Sequence, residues 1–106
     1  MPMRSVVANE AEIGRRVKEV ERELSPAVAW IRYSRTTDST GEESLFFRIV
    51  LSDPASREAR LRAVTERVER DLSDVIAFEE FGLYLYFNYR SRSEQAELKE
   101  PAWRAL

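Results

Sequence analysis

Three stretches of this chain, VAWIRYSR (28–35), LFFRIVLS (45–52) and LYLYFNYR (83–90), alternate with the period of two that marks a β-strand, yet they carry apolar residues on both faces. In the second, Leu45, Phe47, Ile49 and Leu51 share one side, while Phe46, Arg48 and Val50 share the other. In the third, Leu83, Leu85 and Phe87 oppose Tyr84, Tyr86, Asn88 and Arg90. A sheet with one solvated face would be polar there. A sheet built from these strands needs cover on both sides. The side bearing rings and arginines, formed by Trp30, Arg32, Phe46, Arg48, Val50, Tyr84, Tyr86 and Arg90, is therefore the expected interaction face.

Two amphipathic helices supply cover for one side only. Asn9 and Glu12 have the spacing of a capping box, and Ile13, Val17, Val20 and Leu24 then recur as a single helical stripe. Ser25-Pro26 ends that helix, because proline disfavours the α conformation in the residue before it. TTDSTGEES (36–44), with Gly41 as its only glycine, reads as a long, protruding hairpin loop. Asp53-Pro54 suits the cap and first position of a second helix, whose stripe is Leu61, Val64, Val68, Leu72 and Val75. That helix is expected to stop between 73 and 78, with Gly82 opening the third strand.

The order α-β-β-α-β predicts an α+β two-layer sandwich: a three-stranded sheet with both helices on one face, in a single domain over 1–106. A right-handed crossover through the second helix would set strands two and three parallel, and the second strand, the most apolar, belongs in the centre. From about residue 92 the chain becomes a tail. It is expected to form a short helix capped at Ser93 and broken at Pro101. Trp103 and Leu106 would then be two anchors that dock on the same domain or on a neighbour.

The residue types exclude much chemistry. With no histidine and no cysteine, Ser-His-Asp and Cys-His arrangements, disulfides and the usual zinc sets are all ruled out. Asp38, Glu42 and Glu43 offer oxygens for a hard divalent ion, but they lack the alternating ligands of a calcium loop and read as a solvated hairpin tip. Asp38-Ser39-Thr40-Gly41 has one residue too many for the aspartic-protease turn, and no second copy exists. Glu79 and Glu80 diverge by about 100° in a helix, a poor acid/base pair. The chain is expected to be non-enzymatic, with no metal and no cofactor. The opening MPMRSVVANE lacks the apolar core of a secretion signal, and no apolar run approaches the roughly 20 residues of a membrane span; a cytoplasmic protein without a membrane partner is the expectation.

A net charge of −2 argues against a protein built mainly to bind phosphates. Stacking aromatics flanked by arginines on an open sheet are nonetheless the device of single-strand RNA readers, so RNA binding on the same face is the alternative. The glycines, only at 14, 41 and 82, fit neither the RNP1 pattern nor a G-x-x-G loop. Aromatics and arginine with little lysine equally describe a protein interface, and only Lys18 and Lys99 are lysines. The primary reading is a protein-interaction module that self-associates as a homodimer, or an adaptor or antitoxin-like partner of a second protein. The hairpin wording W-I-R-Y, then D-S-T-G-E-E-S-L-F-F-R-I-V-L-S-D, resembles a loose group of small bacterial α/β proteins. It contains no catalytic motif, so the resemblance implies no residue roles.

Overall fold

A computed structural model describes residues 6–106, and the expectation drawn from the first five residues lies outside them. Helix α1 spans Val6–Glu23, strand β1 Val28–Thr37 and strand β2 Glu43–Leu51. A 3-10 turn at Pro54–Ser56 leads into helix α2, Glu58–Val75, and then a single turn, α3, Phe78–Phe81. Strand β3 follows at Tyr84–Ser91, helix α4 at Arg92–Leu98, and a last 3-10 turn at Pro101–Trp103. Among the described residues no helix is long and apolar enough to cross a membrane.

The sheet order is β1-β2-β3, with β2 central, antiparallel to β1 and parallel to β3. This is the α+β architecture that the alternation predicts. Register sets the rows across the sheet. On the helix side they are Ile31–Ile49–Tyr89, Tyr33–Phe47–Phe87 and Arg35–Leu45–Leu85. Ile13, Val17, Val20 and Leu24 from α1 and the residue after it, with Val68, Leu72 and Ile76 from α2 and its C-terminus, join those rows in one core cluster. Phe47 is its centre: fully buried, with the Tyr33 ring at 5.9 Å and the Phe87 ring stacked at 5.5 Å. The two helices are also pinned by polar contacts. Arg16 of α1 donates to the Val75 carbonyl and to Glu80, and lies 5.1 Å from the Phe81 ring centre. The Tyr89 hydroxyl donates to Glu69 of α2 at 2.8 Å; burial and that carboxylate push its pKa well above the ordinary value.

Several ends differ from the sequence reading, each because a side chain has a better partner. Helix α1 begins at Val6, so Asn9 lies within it, and Glu12 binds Arg15 and Arg16 instead of completing a cap. The hairpin loop shrinks to residues 38–42, because both strands run on until the Asp38 carboxylate can gather the turn; Gly41 closes it at a φ of +88°. Asp53 does not cap α2. Its carboxylate accepts the Ser93 N–H and hydroxyl, tying the start of α4 to the end of β2. The cap of α4 is Ser91, two residues before Ser93, in a full capping box with Glu94. The stripe of α2 is buried only in its second half: Val68 and Leu72 are enclosed, Leu61 is 38% exposed, and Ile76, just beyond the helix, is buried as well.

Replacing Phe47 with alanine is expected to cost about 3–5 kcal/mol of unfolding free energy, because the ring's neighbours on two strands cannot close the cavity. Leu61→Ala should cost under about 1 kcal/mol. Urea midpoints of the two variants beside the parent chain measure the difference.

Candidate interaction face

The second face of the sheet has four rows. They are Trp30–Val50–Arg90, Arg32–Arg48–Asn88, Ser34–Phe46–Tyr86 and Thr36–Ser44–Tyr84, running from the end near α4 to the hairpin loop. All eight residues expected at the interaction face therefore do share one side. They do not share one environment.

Most of the first two rows lies under residues 102–104, with Asn88 left exposed. Trp103 is 8% exposed, its ring 4.3 Å beneath the Arg90 guanidinium. Three consecutive carbonyls of this segment each accept a different sheet side chain: Ala102 from Arg48 Nε at 2.8 Å, Trp103 from Trp30 Nε1, and Arg104 from Arg32 at 3.0 Å. Arg90 also pairs with Glu100 at 3.0 Å and donates to the Gln95 side-chain carbonyl, and Arg92 sits 5.7 Å from the Trp30 ring centre. Val50 is fully buried. Trp30, Arg32, Arg48, Val50 and Arg90 are thus engaged from within, which corrects the expectation of a wholly open face. Of the two expected anchors only Trp103 docks; Leu106 is 92% exposed.

The aromatic members of the last two rows stay at least partly open, whereas Ser44, between Thr36 and Tyr84, is fully buried. Phe46 and Tyr86 stack with ring centres 4.9 Å apart, and Tyr84 meets Phe78 at 5.0 Å in a tilted contact. Phe78, Tyr84 and Tyr86 are 50%, 44% and 40% exposed. Phe78 is not legible in the sequence as a member of this group: it lies between α2 and β3, and α3, closed by Gly82 at a φ of +67°, is what swings it beside Tyr84. The spacing of Phe78 and Phe81 in FEEF was the only signal.

Asp38 organises the rim of this open end. Its carboxylate accepts the Thr40 N–H and hydroxyl, the Glu42 N–H, the Ser44 hydroxyl at 3.2 Å and the Tyr86 hydroxyl at 2.8 Å. Those donors, the Thr40 hydroxyl foremost, hold its pKa well below the ordinary aspartate range, and the same contact raises the Tyr86 hydroxyl. Glu43 is drawn away towards Arg35 at 3.4 Å. Among the described residues no three metal-ligating side chains gather.

A carboxylate with a depressed folded-state pKa leaves the unfolded chain to take up the proton first. The stability it contributes is complete above about pH 5 and is lost as pH falls further. Glu12, lowered to about 2 by Arg15 and Arg16, and Asp53, lowered by Ser93, act with the same sign. Stability should therefore fall on acidification from pH 5 towards 2, and Asp38→Asn should make that fall measurably shallower while lowering stability at pH 7. Chemical denaturation at several pH values compares the slopes.

No family model matches the chain, and no curated protein matches it. Among solved structures the chain is similar to the metal-bound C-terminal domain of the CzcD transporter from Cuprividus metallidurans, with 17% identity, a TM-score of 0.39, and coverage of 69% of this chain and 94% of that one.

Proposed function

We propose that this chain is a small, non-enzymatic, self-associating interaction module. Its contact surface is the open end of the sheet, formed by Phe46, Tyr84 and Tyr86 together with Phe78. The observation that carries the reading is the cluster itself. Three of its four rings are 40–50% exposed, and they form one patch at the end of a sheet face whose other end the chain covers with its own tail. Aromatic residues anchor interfaces because they bury a large area with little loss of side-chain freedom. A second copy is the occupant to expect first, since most soluble oligomers are closed homodimers. An adaptor-like or antitoxin-like contact with another protein would use the same rings.

The RNA alternative is weaker on chemistry. The arginines that would meet phosphates, Arg32, Arg48 and Arg90, are turned into the tail. The exposed rings instead have the Asp38 carboxylate beside them, an anion next to the path a phosphate backbone would take.

Sedimentation of the full chain at tens of micromolar is expected to show a dimer. The double variant Phe78→Ser/Tyr84→Ser should weaken association by roughly 30-fold or more, the size of an interface hot spot, with the circular dichroism spectrum unchanged. A chain that remains monomeric up to about 1 mM would remove the reading. Retention of labelled single-stranded RNA at about 50 mM salt, lost on Arg48→Ala, would favour the alternative instead.

A further inference from the structure

Positive charge is not spread evenly over this chain. The net charge is −2, yet cations without a carboxylate partner gather where α4 and the tail meet the Trp30 end of the sheet. Arg92, Gln95, Ala96 and Lys99 recur at i, i+3, i+4 and i+7, so they share one side of α4, and Arg104 reaches the same place from the tail. With Trp30 they line a cavity of about 240 Å³. Among the described residues, the side chains of Arg92, Lys99 and Arg104 make no ion pair and no hydrogen bond to the protein.

The acids nearby are otherwise engaged or face away. Glu94 closes the capping box with Ser91, and Glu100 pairs with Arg90. Asp53 feels the Arg92 charge, but its oxygens are taken by Ser93. Glu94 and Glu97 sit about 140–160° round α4 from Arg92, on its far side. Arg32 and Arg48, behind the tail, add two more cations whose donors go to carbonyls and a hydroxyl instead of carboxylates. The crowding is felt within the fold, where burial and, after it, the charge of Arg32 lower the Arg48 pKa.

We propose that this cavity binds a phosphoryl group, carried by a small phosphate ester or by a free polyphosphate. The planar forks of Arg92 and Arg104 each suit two phosphate oxygens, and Lys99 supplies a point charge. A lone carboxylate would use only part of that charge, and a nucleic-acid strand needs a longer run of cations than a cavity of this size offers. The volume lies below the roughly 300–1,000 Å³ of pockets that enclose a drug-sized ligand, so the phosphoryl end enters and the rest of the molecule projects. Trp30 is the wall for an attached ring. Its indole N–H is held by the Trp103 carbonyl, which fixes the ring in place before anything binds. Arg92 stands 5.7 Å from that ring centre.

Calorimetric titration of the full chain with pyrophosphate, AMP and inorganic phosphate, at about 50 mM salt and without divalent ions, tests the site. Pyrophosphate or AMP is expected to saturate one site per chain with a Kd below roughly 1 mM. AMP tighter than pyrophosphate names an organic ester as the source and the reverse order a free polyphosphate; either supports the site. Arg92→Gln, Lys99→Asn and Arg104→Gln, made one at a time, should each weaken the better ligand by about fivefold or more, with the circular dichroism spectrum unchanged. All three positions are exposed, and asparagine is chosen at 99 because it tolerates the φ of 55° found there. Arg62→Gln removes the same charge from α2, where the side chain is 91% exposed. It should change affinity by less than about twofold. An absence of saturation by all three probes up to about 10 mM overturns the proposal, as does a loss from Arg62→Gln equal to that from the cavity variants.

Discussion

A central strand with apolar side chains on both faces is the constraint from which the rest of this structure follows. Strand β2 sits between β1 and β3, so neither of its faces can be relieved by moving it to the edge, and Leu45, Phe47, Ile49 and Val50 are all completely buried. One face is covered by two helices whose stripes meet Phe47 and its neighbours. Part of the other face is covered by the segment that follows β3. Helix cover needs a long amphipathic segment; tail cover needs something else, because an irregular segment laid flat on a sheet brings its own main-chain carbonyls into a partly apolar site.

The arginines answer that need. Carbonyls of Ala102, Trp103 and Arg104 point at the sheet, where a second set of β-ladder bonds is impossible because the strands already use their main-chain groups on each other. Arg48, Trp30 and Arg32 supply the missing donors from side chains. Arg90 does a related job for the Trp103 ring, stacking on its face while holding Glu100. Arginine suits this role better than lysine, since its planar group can stack on a ring and still present N–H groups in fixed directions. Residues that look like equipment for an outside ligand are, over half of this face, the means by which the tail is held.

That exchange of roles also explains what could and could not be read from the sequence. The period of two in β2 and β3 and the i, i+4, i+7 stripe of α1 are local patterns tied directly to burial, so the element order, the central place of β2 and the membership of both sheet faces were legible. The side chain that satisfies a turn or a carbonyl is chosen by distance in three dimensions and leaves no spacing rule. Asp53 looked like a helix cap because Pro54 follows it, yet Ser93, forty positions away, is its partner. Asp38 looked like a solvated loop residue, yet it collects five donors and reaches Tyr86 on another strand. Trp103 had two possible hosts in the sequence, and only the folded chain puts its carbonyl against Trp30.

The docked segment covers only part of this face. Held at Trp103 over the Trp30–Val50–Arg90 row, it reaches Arg32 through the Arg104 carbonyl, while Leu106 is exposed. The rings beyond are held in place by contacts that do not hide them: ring stacking between Phe46 and Tyr86, the Phe78 contact with Tyr84, and a hydroxyl-to-carboxylate bond at the rim. Such contacts orient aromatic side chains in advance, so little side-chain freedom remains to be lost when a surface closes over them. The contact surface proposed for this chain is thus an apolar patch that is both uncovered and pre-ordered.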